Sequence, residues 1–305
     1  MNTIFFNQRS DLRSGWKFAC YVAVFLPLWL ALAIALSLAA PPGIEESDLG
    51  VMGLNSIAFF IPAVLATLFM ARFVDHVPVM TFGVGFHERW AAVFSMGVVI
   101  AAGMLLLVLA GAALFGDIDM MWTASEFSFG ALAATFAILA VAAASEEMLF
   151  RGYPLQTLMT GIGPWPAMLL MSCLFGFVHI QNPNASALGV SNTVLAGVML
   201  SLAYWRTRSL WLPYGIHLAW NVGLGVIAGF PLSGLDIASF WTTRVSGPPE
   251  ILGGAYGPEG GGLGTLAFVA GTVAVWVTRF RISEFGFRIL RKPEIRNPNS
   301  EIRNL

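Results

Sequence analysis

The sequence predicts an all-α fold, a polytopic transmembrane bundle of about eight helices with a polar cavity inside the membrane. Of its 305 residues, 57% are hydrophobic and only 11% are charged, whereas soluble globular chains carry about 25% charged residues. The apolar residues also fall into runs that approach the roughly 20 residues needed to cross a bilayer. These observations exclude a soluble protein.

Charge and cysteine content exclude two further classes of protein. A net charge of −1 lacks the clustered basic excess expected of a nucleic-acid-binding protein. Cys20 and Cys173 both lie in apolar runs, so a disulfide scaffold is excluded as well. We therefore expect a protein whose partners are the lipid bilayer and a membrane-associated protein or peptide. The sequence leaves the oligomeric state open.

Eight apolar segments are expected to cross the membrane. They are residues 18–40, 51–73, 90–115, 129–150, 165–180, 188–204, 210–230 and 263–280. The first is not a cleavable signal peptide, because its apolar stretch of 23 residues exceeds the usual signal core and further spans follow. The sixth segment is the weakest, since polar residues interrupt it.

Lys and Arg are distributed unevenly between the two sides of this arrangement. If the N-terminus is cytoplasmic and the spans alternate, 14 basic residues face inward and only Arg244 faces outward, with Arg151 set aside as intramembrane. The outward loops instead carry nine acidic residues. By the positive-inside rule, we expect a location in the cell (inner) membrane with both termini in the cytoplasm.

The expected organisation has five parts. Residues 1–125 form about three N-terminal transmembrane helices, residues 126–230 carry the polar site, and residues 263–290 form the last transmembrane helix. Residues 231–262 are a Pro/Gly-rich extracytoplasmic loop, interpreted as a flexible connector, with a substrate-gating lid as the alternative. Residues 291–305 are a polar tail that we expect to be disordered.

Three of the spans contain polar side chains that are costly inside a membrane and therefore mark a candidate functional site. They are Glu146, Glu147 and Arg151 in the fourth span, His179 in the fifth, and His217 and Asn221 in the seventh. Glu147 and Arg151 are four residues apart, a spacing that favours an ion pair on one helix face. Glu146 is turned from Glu147 by about 100° and faces another partner. Phe175, one turn before His179, is expected to pack beside it.

This set of side chains is typical of hydrolysis by an activated water. A carboxylate and an imidazole can hold a water and remove its proton, while an imidazole and a carboxamide can donate hydrogen bonds to an oxyanion. The residues predict a peptide-bond hydrolase without a Ser or Cys nucleophile. A metal version stays open, in which Glu146, His179 and His217 bind Zn²⁺ and leave a position for water.

The three motifs, Glu-Glu-x-x-x-Arg at 146–151, Phe-x-x-x-His at 175–179 and His-x-x-x-Asn at 217–221, resemble those of one family. They look like the motifs of the CAAX protease and bacteriocin-processing (CPBP) intramembrane proteases, which include type II CAAX prenyl endopeptidases and Abi proteins. The resemblance runs from about residue 142 to residue 222.

The resemblance implies an intramembrane endopeptidase of the glutamate type or the metalloprotease type. It implies that Glu146 and His179 activate the water, and that His217 and Asn221 form the oxyanion site. Glu147 and Arg151 would support the first motif. CAAX-type processing and the processing of peptides or bacteriocins are both open as substrate classes.

A non-catalytic function is the alternative. The same buried polar residues suit a transporter with a proton-coupled Glu146, or a scaffold that only holds partners. Many transporters show internal repeats, and none that is convincing occurs here. A transporter would leave cleavage products unchanged, which separates it from a protease.

Glu146 and His179 can meet only if the fourth span extends far enough along the chain. If it ended near Phe150, Glu146 would lie near the inner surface and His179 near the outer, so the two could not meet. We therefore predict a helix that continues past Arg151 to about Thr160, with a kink at Pro154. A helix that ends at Arg151 would contradict this geometry.

Overall fold

The computed structural model describes residues 4–7, 10–44, 47–123 and 128–278. This part of the chain is a helical bundle, as predicted. Five of its helices are long and apolar enough to cross a membrane, and two shorter apolar helices accompany them. The chain is therefore a multi-pass membrane protein. The predicted tail, residues 291–305, lies outside the described residues.

Each of the eight predicted spans contains a helix of the bundle. The helices are α1 Ser14–Ala39, α2 Asp48–Phe69, α3 Trp90–Phe115, α4 Phe129–Arg151, α5 Tyr153–Ile162, α6 Pro164–Val178, α7 Ala187–Thr207, α8 Trp211–Asn221, α9 Pro249–Leu252 and α10 Gly262–Val277. Two π-helical segments, Met70–Asp75 and Val222–Ile227, prolong α2 and α8. The strands are β1 Asp117–Trp122 and β2 Trp241–Ser246.

The prediction of a continuous helix past Arg151 is wrong. α4 ends at Arg151, Gly152 leaves the helical conformation with ψ −124°, and a separate helix, α5, begins at Tyr153. The break lies two residues before Pro154, where the kink was expected, because a proline fits the first turn of a new helix, whose N–H groups need no partner inside it. α5 nevertheless carries the helical path to Ile162, close to the predicted end near Thr160.

The two-stranded sheet was not predicted from the sequence. β1 and β2 are antiparallel, in a register that places Asp119 opposite Arg244 and Trp122 opposite Trp241. Opposite charges and aromatic pairs across two strands stabilise such a sheet. β2 lies within residues 231–262, so this segment has regular structure where the sequence suggested a flexible connector.

Close approach of α3 and α8 positions the helix that carries His217. A Cβ atom on Gly215 would lie 2.4 Å from the carbonyl oxygen of Phe94. A Cβ atom on Gly97 would lie 2.6 Å from the carbonyl oxygen of Leu212. Both obstacles are backbone atoms, so the two helices can pack at this distance only because the contact residues lack side chains.

Replacing Gly215 by Ala is expected to destabilise the protein by about 1–3 kcal/mol, because the new methyl group forces a backbone shift in a close-packed contact. The measurement is thermal unfolding of the purified protein in detergent. Gly103→Ala on α3 is the matched control, since a Cβ atom there would meet nothing within 4 Å. Equal melting temperatures of the two variants would contradict the close approach.

Candidate active site

A cavity of about 560 Å³ opens into the bundle. Four of the six predicted site residues line it: Glu146 on α4, His179 at the end of α6, and His217 and Asn221 on α8. Residues of α1, α2, α7 and α10 and of the loop segments 181–183 and 232–259 also line it. The other two predicted residues, Glu147 and Arg151, are buried in the protein interior behind this wall.

Glu147 has two partners. Arg151 Nη1 donates a hydrogen bond to its Oε1 at 3.2 Å, and both side chains are almost completely buried. The Arg151 guanidinium also lies over the ring of Phe175, 4.3 Å from the centroid. From α8, Nδ1 of His217 lies 2.8 Å from the same Glu147 oxygen. A carboxylate only accepts hydrogen bonds, so this nitrogen carries the proton. Glu147 thus joins α4 to α8, a contact that was not predicted.

Glu146 faces the cavity instead of the ion pair. Its side chain is 29% exposed, and its Oε2 lies 3.6 Å from Nε2 of His217. This distance exceeds that of a normal hydrogen bond, and among the described residues Oε2 is a buried atom without a hydrogen-bond partner. The structure therefore holds a free carboxylate oxygen next to an imidazole.

His179 is held by its own helix. Its Nδ1 lies 2.7 Å from the carbonyl oxygen of Phe175, and since a carbonyl only accepts, Nδ1 carries the proton. With the proton on Nδ1, Nε2 is the ring nitrogen that can accept a hydrogen bond. The Phe175 ring packs 4.6 Å from the His179 ring, which confirms the predicted neighbour, and 6.3 Å from the His217 ring. Phe175 thus holds both imidazoles beside the cavity.

The zinc alternative requires three ligands that converge on one point. In the part of the chain that the structure describes, no group of three or more His, Cys, Asp or Glu side chains is placed to hold a metal ion. The hydrogen bonds to Glu147 and to the Phe175 carbonyl involve Nδ1 of His217 and of His179, which leaves Nε2 as the available ring nitrogen of each histidine. In the described structure Glu146, His179 and His217 do not converge as three zinc ligands, and we derive no step through a metal.

A further carboxylate, Glu259, lines the cavity and was not predicted from the sequence. Glu259, in a short 3₁₀ turn before α10, is only 8% exposed. It accepts hydrogen bonds from Nε1 of Trp220 at 2.8 Å and from the backbone N–H and the hydroxyl of Ser233, both at 2.7 Å. Because Trp220 precedes Asn221, Glu259 ties the segment 231–262 to α8 beside the candidate site. An acidic residue in a Pro/Gly-rich loop gives no sequence signal for burial.

A comparison with known protein families matches the part of the chain that carries this site. Residues 128–223 match the family model described as "Type II CAAX prenyl endopeptidase Rce1-like". The match begins just before α4 and ends just after α8, so it contains all three motifs. No curated protein matches the chain significantly. The resemblance stated above is thus confirmed over residues 128–223, where the chain is similar to the type II CAAX prenyl endopeptidases.

Proposed function

We propose that the protein is an intramembrane endopeptidase that hydrolyses a peptide bond with a water activated by Glu146. The observation that carries this proposal is the unpaired Oε2 of Glu146, which is buried beside His217 in the cavity. A buried acceptor without a donor is unfavourable, and a bound water supplies that donor. His179 lines the same cavity, and its free Nε2 makes it the second group that can hold the water.

In the proposed reaction, Glu146 takes a proton from water while the water oxygen bonds to the substrate carbonyl carbon. Negative charge develops on the carbonyl oxygen, and His217 and Asn221 donate hydrogen bonds to it. His217 then needs a second proton, on Nε2, and the carboxylate of Glu147 balances the charge of this imidazolium. The proton on Glu146 passes to the amide nitrogen, the C–N bond breaks, and a carboxylic acid and an amine leave.

Glu147 and Arg151 are proposed to position this chemistry without contacting the substrate. Glu147 orients His217 through Nδ1, and Arg151 neutralises Glu147 within the buried part of α4. The substrate is proposed to be a membrane-associated protein or peptide, in CAAX-type or bacteriocin-related processing. We further propose an inner-membrane location with cytoplasmic termini, from the distribution of Lys and Arg.

Comparison of protein termini in cells tests the proposed function. Cells that produce the wild type or Glu146→Ala at matched levels are compared for the termini of their membrane proteins. Termini that arise only with the wild type would support proteolysis and identify the substrate. Identical termini, with both proteins folded and equally abundant, would overturn the proposal and favour the transporter or scaffold alternative.

Removal of metal ions separates the metal-free proposal from the zinc version. Purified protein treated with a strong chelator is expected to keep its cleavage rate, because the described carboxylate and imidazole groups do not converge as three ligands. Elemental analysis of the same sample measures the zinc content per chain. Loss of activity that added Zn²⁺ restores would contradict this expectation.

A further inference from the structure

We propose that the substrate reaches Glu146 from the end of the bundle that carries the two-stranded sheet, and that this end is extracytoplasmic. The sheet end is formed by β1, β2 and residues 231–262. The basic end is formed by residues 76–89 and 206–210. This inference rests on the proposed function, which supplies the peptide substrate. What it adds is that the substrate enters the cavity at the sheet end.

The cavity extends from Glu146 toward the sheet end. α2 lines it only with residues from Asp48 to Phe59, although the helix and its π-helical extension continue to Asp75. α7 lines it with residues from its first two-thirds, and α6 with residues of its last turn. In each case the lining residues lie in the part of the helix nearer the sheet end.

The lining side chains are exposed where the cavity meets the sheet end. Asp48, Asn55, Gln181 and Pro183 all line the cavity and are exposed. Asn55 lies about 10 Å along α2 from Asp48, at 1.5 Å per residue, within a membrane-spanning helix. A carboxamide facing lipid at that depth is costly, and its position in the cavity lining gives it an aqueous surrounding.

The bundle is closed on the other side of the site. Arg151 and Tyr153 follow Glu146 along the chain and are 1% and 0% exposed. Tyr153 packs against Tyr21, with ring centroids 5.4 Å apart, and against Phe82 at 5.0 Å. No residue of α5 or of the segment 76–89 lines the cavity. A peptide cannot cross such a close-packed layer without displacing it.

Charge distribution assigns the sheet end to the extracytoplasmic side. The basic end carries Arg89, Arg206 and Arg208, whereas the sheet end carries acidic residues and a single arginine, Arg244. By the positive-inside rule, the basic end faces the cytoplasm and the sheet end faces the opposite side of the membrane. Asp48 and Glu259 in the cavity lining favour a neutral or cationic peptide over an acidic one. The substrate class is therefore a membrane-associated protein or peptide that presents its scissile bond from the extracytoplasmic side, which favours peptide or bacteriocin-related processing over CAAX-type processing at the cytoplasmic face.

Accessibility of single cysteines tests this path. The two native cysteines are replaced by Cys20→Ser and Cys173→Ser, and one new cysteine is introduced at a time. Asn55→Cys reports the mouth of the cavity, Glu250→Cys the sheet end, and Glu88→Cys the basic end; all three positions are exposed. A membrane-impermeant sulfonated maleimide is added to right-side-out and to inside-out vesicles.

The expected result is that Asn55→Cys and Glu250→Cys react in right-side-out vesicles and Glu88→Cys reacts in inside-out vesicles. Reaction of Asn55→Cys together with Glu88→Cys would overturn the proposed path, as would no reaction while both reference positions react. Reaction of Glu250→Cys only in inside-out vesicles would overturn the extracytoplasmic assignment.

Two features keep the test decisive. Gln181→Cys lies at the same mouth and must react with the same sidedness, which detects a distortion confined to the Asn55→Cys variant. Labelling needs no catalysis, so a closed or cytoplasmic path is distinguished from an absence of proteolysis, which the comparison of termini with Glu146→Ala reports separately.

Discussion

Replacing Glu146 by Gln is expected to reduce the cleavage rate at least about 100-fold while the bundle stays folded. Gln keeps the size of the side chain, but its carboxamide is not a base and cannot take a proton from water. The side chain is partly exposed in the cavity, and its Oε2 makes no hydrogen bond to another residue, so the substitution breaks no hydrogen bond of that atom. The measurement is the kcat and KM of purified protein on the cleaved substrate, and the loss is expected in kcat.

The matched control makes the same chemical change outside the cavity. Glu88→Gln replaces an exposed carboxylate before α3 and is expected to cleave at the wild-type rate. Thermal unfolding in detergent verifies that all three proteins are equally folded. If Glu146→Gln retained the wild-type rate, Glu146 would not be the base, and His179 with its free Nε2 would take its place.

Replacing Arg151 by Met is expected to destabilise the protein by about 3–5 kcal/mol, the range found when one member of a buried ion pair is removed. The guanidinium pairs with Glu147 at 3.2 Å and covers the ring of Phe175. Met fills much of the same apolar space but leaves the buried Glu147 carboxylate without its cation. The melting temperature in detergent measures the loss.

A second substitution identifies the cause of that loss. The double variant Glu147→Gln/Arg151→Met contains no buried unpaired carboxylate, so it is expected to be more stable than Arg151→Met alone. Equal instability of both variants would assign the effect to packing against Phe175 instead of charge. Arg72→Met, at an exposed position, is the control and is expected to change stability by less than about 0.5 kcal/mol.

The features predicted correctly depend on residues that are close in the sequence. Run length identified the spans, because each span must be apolar along its own length. A spacing of four residues was sufficient to predict the Glu147–Arg151 pair and the Phe175–His179 contact, since both pairs lie on one face of a helix. Polar side chains within these spans marked Glu146, and the structure places it in the cavity.

The features that were missed depend on distant residues or on one backbone angle. His217 and Glu147 are 70 residues apart, and Trp220 and Glu259 are 39 apart, so no local pattern brings either pair together. The pairing of β1 with β2 likewise joins two loops. At Gly152 the break depends on a single ψ angle, which hydrophobic periodicity does not report.

The hydrogen bonds of Glu259 show that two separate stretches of the chain line the same cavity. The groups proposed to perform the reaction all lie between residues 146 and 221, whereas Ser233 and Glu259 line the cavity from the later segment. Exchange of residues 231–257 between related proteins would thus change which peptides can enter the cavity. The residues proposed to perform the hydrolysis would stay the same. Glu259 and its Trp220 partner are the junction that such a chimera has to preserve.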